Sequence, residues 1–280
     1  MSITGTSSQP HDHIVKSYDE ELRRLLNEIL RMGEMAASQL EAALDVIERR
    51  DDKAAERIIG NDEAIDALEH EVSHDVMKLA LRGPLARDLR QILAALRIAS
   101  DREVNRLEVE IDEMCRRILA LRQPAASDLR LITTAIKIVT DLERIGDYSA
   151  NLAKRSMALN LAPPLPHTRG LAALGALAVQ QVRDVLKAYG DSDATAAQRV
   201  RARDAELDTL YTGLFRELLT YMMEDARAIT PCTHLLFMAK NIERIGDHAT
   251  NIAENVWFQV HGEGLLPPRE KRDGTNTATS

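Results

Sequence analysis

Residues 241–255 read NIERIGDHATNIAEN, and residues 141–155 read DLERIGDYSANLAKR. Glu243, Asp247 and Asn251 follow one another at intervals of four, as do Glu143, Asp147 and Asn151. On an α-helix each trio drifts by only about 40° per step, so it forms one narrow polar stripe. Met238, Ile245 and Ile252 fall roughly opposite in one copy, and Ile138, Ile145 and Leu152 in the other. Those six residues are expected to face a core. Gly246 and Gly146 stand between the two carboxylates of each line. A mid-helix glycine costs about 1 kcal/mol relative to alanine, so a repeated one predicts close approach of another backbone or of a ligand.

An offset of 100 residues joins the two copies, which points to two similar helical halves. Composition agrees with an all-α chain: among 280 residues, aromatics are 3%, and apolar residues recur at helical spacing. The formal charge of −8 disfavours nonspecific nucleic-acid binding and suits cations or basic partners. Cys115 and Cys232 form no Cys-x-x-Cys pair, which fits buried thiols in a reducing compartment. No secretory signal opens the sequence, and no apolar run approaches the roughly 20 residues a membrane span needs. A soluble, cytoplasmic protein without membrane insertion is expected.

Residues 1–13 read as a disordered tail. From Tyr18 onward, Leu22, Leu25, Leu26, Ile29, Met32 and Met35 lie on one stripe. Asp51 and Asp52 suit the cap of a second helix over about 53–81. RGP at 82–84 breaks it, and a pattern free of Pro and Gly then runs from Leu85 to Arg122. RQP at 122–124 breaks that, and a helix follows to Asn160. APPLP at 162–166 is the clearest linker, within a boundary at 162–167. Helices near 168–189, 193–223 and 231–261 complete a second unit over 168–262, and 263–280 reads as a tail. The first unit spans 14–161. It holds a further repeat, RGPLARDLRQILAALRIASD (82–101) against RQPAASDLRLITTAIKIVTD (122–141), which amounts to an extra helix-hairpin unit of about 40 residues. The extra unit lacks the acidic line, since Leu107 stands where Asp147 does.

Equal arms about the turn at Pro124 place Asp101 and Asn105 opposite Glu143, Asp147 and Asn151. In the second unit, Asp204 and Asp208 face Glu243, Asp247 and Asn251 around a turn near 224–231. Clustered carboxylates repel unless neutralised, and all-oxygen donors favour a hard cation such as Mg, Mn or Fe. A solvated charged face, with Arg144 and Arg244 as ion-pair partners, is the ordinary reading of one such line. Two lines with facing polar pairs and repeated glycines favour the metal reading. Asp62 and Asp66, in NDEAID, resemble Asp204 and Asp208 in RDAELD. Their hairpin partner by this pairing is the extra unit, so they receive no ligand role. Glu71 and His74 make a lone Glu-x-x-His, whereas a di-iron core needs two. His248 reads as a packing residue.

LERIGDYSANLAK and IERIGDHATNIAE, with RQPAASDLR opening the helix that carries the first, resemble the PhoU family over roughly residues 12–262. The resemblance implies tandem three-helix bundles, here with the first enlarged by the extra unit. It implies multinuclear metal sites, carried over to Glu143, Asp147, Glu243, Asp247, Asp204 and Asp208. It further implies a cytoplasmic, non-enzymatic regulator of phosphate uptake. Its expected partners are the ATPase subunit of the Pst phosphate ABC transporter and the phosphate-sensing histidine kinase, with repression of the phosphate-starvation regulon and a homodimeric state. A metal-free helical adaptor and a di-metal carboxylate enzyme are the rival readings. The duplicated unit departs from the family pattern and predicts one long helix from about 85 to 121, some 55 Å at roughly 1.5 Å per residue.

Overall fold

A computed structural model describes residues 10–82, 123–161 and 169–263. Among these residues there are six α-helices. They are α1 (Pro10–Arg49), α2 (Asp52–Arg82), α3 (Gln123–Asn160), α4 (Arg169–Gly190), α5 (Ala194–Glu224) and α6 (Ile229–His261), with a short 3-10 turn at Ala226–Ala228 before α6. Helix α1 starts at Pro10, ahead of the expected Tyr18. Proline suits that place because the first turn has no intrahelical use for its missing N–H. The extra unit, its long helix over 85–121, Cys115, Asp101 and Asn105 lie outside the described residues, as do the linker and most of the C-terminal tail.

The helix ends follow from local chemistry. Asp51 Oδ1 accepts from the Ala54 N–H at 3.1 Å, and Asp193 Oδ1 from the Ala196 N–H at 2.9 Å, so each carboxylate satisfies a donor left over at a helix start. Helix α6 closes on Gly262, which adopts φ 74°, the left-handed conformation glycine adopts without strain. Arg50 follows α1 and donates from Nη2 to the Asn160 carbonyl at 2.8 Å. A guanidinium thus sits at the negative end of α3.

Helices α1–α3 pack as one three-helix bundle and α4–α6 as another, and the two share a continuous apolar core. The joint is made by α3 against α6 and by α1 against α4. Ile138, Ile145, Leu152, Met238, Ile245 and Ile252 are all fully buried, as their spacing predicts. At the α1–α4 crossing, a methyl group on Gly33 would collide with Leu186, and one on Gly175 with Leu44. Both pairs differ by 142 residues, Gly33 from Gly175 and Leu44 from Leu186. The crossing is therefore reciprocal: each bundle seats its leucine on the other's glycine, as across a two-fold axis. The α3–α6 crossing is polar at its centre. His248 Nδ1 lies 2.7 Å from Asp141 Oδ1, the Asn251 amide donates to the same oxygen at 3.3 Å, and the His248 and Tyr148 rings are 5.7 Å apart. Burial pushes the Asp141 carboxyl up, while the bonds from His248 and Asn251 oppose the rise.

Helices α1 and α2 map onto α4 and α5 at an offset of 142, but α3 maps onto α6 at 100. The difference falls between Arg82 and Gln123. Among the described residues α2 packs along α3 as α5 packs along α6.

Two glycines give a clean test of the crossing. Gly60 lies in α2 with nothing near its missing side chain, so Gly60→Ala should raise stability by about 1 kcal/mol through helix propensity. Gly33→Ala carries the same gain but must displace Leu186, which is only 6% exposed. Overpacking of about 1–3 kcal/mol should outweigh the gain. Urea unfolding should give the two variants opposite signs.

Candidate metal centre

In the first bundle the close approach of α2 to α3 is made at Gly146. A Cβ there would stand 3.1 Å from Ile65 Cδ1 and 3.4 Å from Asp62 Oδ1. The close approach foreseen at this glycine is thus by side chains of the neighbouring helix. It brings Asp66 of α2 beside Glu143 and Asp147 of α3, and one carboxylate oxygen of each lies within 4.8 Å of the other two. One turn earlier, Asp62 Oδ1 accepts from Gln39 Nε2 of α1 at 2.9 Å. The same amide donates to the Gly146 carbonyl at 3.3 Å. Gln39 therefore ties all three helices together at this level.

The cluster is electrostatically loaded. Burial pushes the Glu143 carboxyl up, and the neighbouring charges of Asp147, Asp66 and Glu69 push in the same direction, against Arg144. Burial also raises Asp62; Asp147 and Asp66 add to the rise, and the Gln39 hydrogen bond opposes it. The ion pairs foreseen for Arg144 form, with Nη1 3.2 Å from Asp147 Oδ2 and Nε 3.4 Å from Glu143 Oε2. That guanidinium is exposed and works from the rim, where such pairs contribute little. Two cations, Arg144 and the Lys154 that acts on Asp62, against Asp62, Asp66, Glu143 and Asp147 leave excess negative charge. The donor set is all oxygen, which suits Mg, Mn or Fe.

The second bundle is arranged differently. Asp204, Asp208 and Glu243 are 4%, 2% and 2% exposed. Glu243, drawn as lying outside the core, is thus buried where α5 and α6 meet, while Asp247 is half-buried and Asn251 exposed. Thr250 Oγ1 donates to Asp204 Oδ1 at 3.3 Å, and Lys240 Nζ to Glu243 Oε1 at 2.9 Å. Among the described residues, the cluster of three close carboxylates is the one in the first bundle. A Cβ on Gly246 would collide with Leu207 and stand 3.1 Å from Gln181 Oε1. Gln181 is fully buried, and neither end of its amide makes a hydrogen bond. Asn251 donates to Asp141 in the α3–α6 joint, and Asn151 is exposed. Glu71 and His74 are both exposed, so the lone Glu-x-x-His does not enter a bundle core.

Sequence reasoning set Asp62 and Asp66 aside and did not single out Gln39. The signal was present. At the offset of 142, Gln39, Asp62 and Asp66 correspond to Gln181, Asp204 and Asp208.

Two tandem three-helix bundles that set carboxylates along the contact of their second and third helices define a class of paired helical-bundle proteins. The family model described as PhoU domain matches residues 29–103, 98–156 and 171–256, and the chain belongs to the PhoU family. It is 60% identical over 264 residues to a Xylella fastidiosa protein named phosphate-specific transport system accessory protein PhoU homolog, covering 94% of this chain and 95% of that one. Among solved structures it is similar to PhoU from Pseudomonas aeruginosa, with TM-score 0.69 and 32% identity over 88% of this chain and 100% of that one. It is also similar to the phosphate transport system regulatory protein PhoU from Streptococcus pneumoniae, with TM-score 0.65 and 25% identity over 89% and 99%.

The raised carboxyls have a pH consequence. A carboxyl raised in the folded state supports folding below its unfolded value, and the support is lost as pH rises through the folded value. In metal-free protein the contribution of these carboxyls to stability should therefore fall as pH climbs from about 4. Glu143→Gln should flatten that decline and raise the neutral-pH midpoint, read by thermal unfolding in chelator across a pH series.

Proposed function

We propose that this chain is an accessory regulator of phosphate transport that carries hard metal ions on its carboxylate lines and acts by docking to partner proteins. The observation that carries the metal half is the convergence of Asp66, Glu143 and Asp147 across α2 and α3. Family membership supports the transport half, because relatives are named as accessory or regulatory proteins of phosphate transport.

In this reading Asp66, Glu143 and Asp147 hold the ion, with Asp62 oriented by Gln39 at its edge. Asp204, Asp208, Glu243 and Asp247 form the counterpart set. The ion supplies positive charge that relieves carboxylate repulsion across the hairpin. The protein side keeps α2 and α3 at a fixed spacing through Gly146, so the face presented to a partner depends on the charge state of the cluster. The partners proposed are the ATPase subunit of the Pst transporter and the phosphate-sensing histidine kinase. The proposed outcome is repression of phosphate-starvation genes when phosphate is plentiful, by a cytoplasmic homodimer. Among the described residues no helix is long and apolar enough to cross a membrane.

Metal analysis of purified protein tests the chemistry. Wild type dialysed against Mn2+ should retain metal, and an Asp66→Asn, Asp147→Asn double variant should lose at least tenfold in affinity, since even outer-shell changes commonly cost about 10–100-fold. Equal, negligible content in both would leave a metal-free adaptor. For the biology, deletion of the gene should raise expression of a phosphate-starvation reporter in rich phosphate; an unchanged reporter would count against the regulatory role.

A further inference from the structure

The two acidic lines are not surrounded by the same charges. At the offset of 142, Glu69 in α2 corresponds to Tyr211 in α5; at the offset of 100, Thr140 in α3 corresponds to Lys240 in α6. The first bundle thus has an acid and a neutral residue where the second has a neutral residue and a base. The position matters. Lys240 precedes Glu243 by three residues, so both project from one helix face. Arg144 is adjacent to Glu143 in sequence, which turns it about 100° away and confines it to the rim. Lys240 Nζ lies 2.9 Å from the buried Glu243 carboxylate and 5.1 Å from the centre of the buried Tyr211 ring. Its place is taken in α3 by Thr140, which is exposed and donates to the Ile136 carbonyl at 3.1 Å.

A carboxylate as buried as Glu243 is costly without a counter-charge. The ammonium supplies one from within the chain, steadied on the face of Tyr211. In the first bundle Glu69 adds its negative charge to the raised Glu143 carboxyl. The three close ligand oxygens are found on that side, and Gln39 holds Asp62 there while its counterpart Gln181 makes no hydrogen bond.

We propose that Lys240 is a tethered cation that occupies the second carboxylate set in place of a metal ion, so that the two bundles take up metal unequally. The first bundle is the high-affinity site. The second accepts a divalent ion only when the ammonium swings away from Glu243. This rests on the metal reading above and adds an order of filling to it.

The experiment is Mn2+ titration of chelator-stripped protein, read by calorimetry and by metal-dependent thermal stabilisation. The variants are Lys240→Thr and Thr140→Lys, each made also in the Asp66→Asn, Asp147→Asn background. Lys240→Thr should lower the metal-free midpoint. It should also tighten the weaker class of sites by at least about tenfold, the effect of removing one like charge beside the ion. That class should persist in the Asp66→Asn, Asp147→Asn background. Thr140→Lys, made at an exposed position that does not threaten folding, should weaken the tight class. If wild type binds Mn2+ in two equal classes, or if neither variant changes its own class, the tethered-cation role is wrong and the metal reading stands. If wild type and Lys240→Thr both bind no Mn2+, both ideas fall.

Discussion

The close approach of α2 to α3, and of α5 to α6, is the constraint on which the rest depends. A hairpin of ordinary helices separated by full-sized side chains would leave Asp66 and Glu143 facing one another across solvent. At Gly146 and Gly246 the third helix has no side chain, and Ile65 and Leu207 fill the space. Each glycine gives up about 1 kcal/mol of helix propensity. In return, in the first bundle, Glu143 and Asp147, three residues before and one after the glycine, meet Asp66 of the facing helix. The same geometry that buries the isoleucine or leucine concentrates negative charge, so core packing and electrostatic load cannot be varied independently here.

The two bundles then lock together through their first and third helices. The leucine-on-glycine crossings of α1 and α4 are nearly the same contact made twice, which is what a duplicated unit produces when its copies pack face to face. The centre of the α3–α6 joint breaks that symmetry. His248 and Tyr148 are equivalent by the offset of 100, yet only His248 meets a buried carboxylate, because Asp141 is answered in the other copy by Asn241. The carboxylate lines diverge likewise, one gathering acids near the surface and the other burying Asp204, Asp208 and Glu243, the last paired with Lys240.

The described helices and their apolar stripes were legible in the sequence because each rests on periodicity within a single element, and the likeness of the two halves because the acidic line recurs at an offset of 100. The capping aspartate at Asp51 and the buried sextet from Ile138 to Ile252 were legible for the same reason. The packing of α2 against α3 was not. Counting equal arms from Pro124 pairs α3 with residues that lie outside the described ones, and it passes over α2, which is remote in sequence but packed on α3. Asp66 therefore stood outside the expected site although its likeness to Asp208 was plain. Burial of Glu243 was also hidden, since an i, i+4 acidic stripe looks the same whether it meets water or another helix. The lysine three residues upstream was the local clue that this stripe is not simply solvated.

The Asp141–His248 contact has a mechanical consequence. Asp141 stands two residues before Glu143, and His248 directly follows Asp247. A rigid helix transmits displacement along its axis with little loss, so a shift of one acidic line by even a fraction of a helical turn must be felt at this bond and handed to the other line. The joint works like a clutch plate between two shafts. While it is engaged, a shift of α3 or α6 along its own axis loads the other bundle.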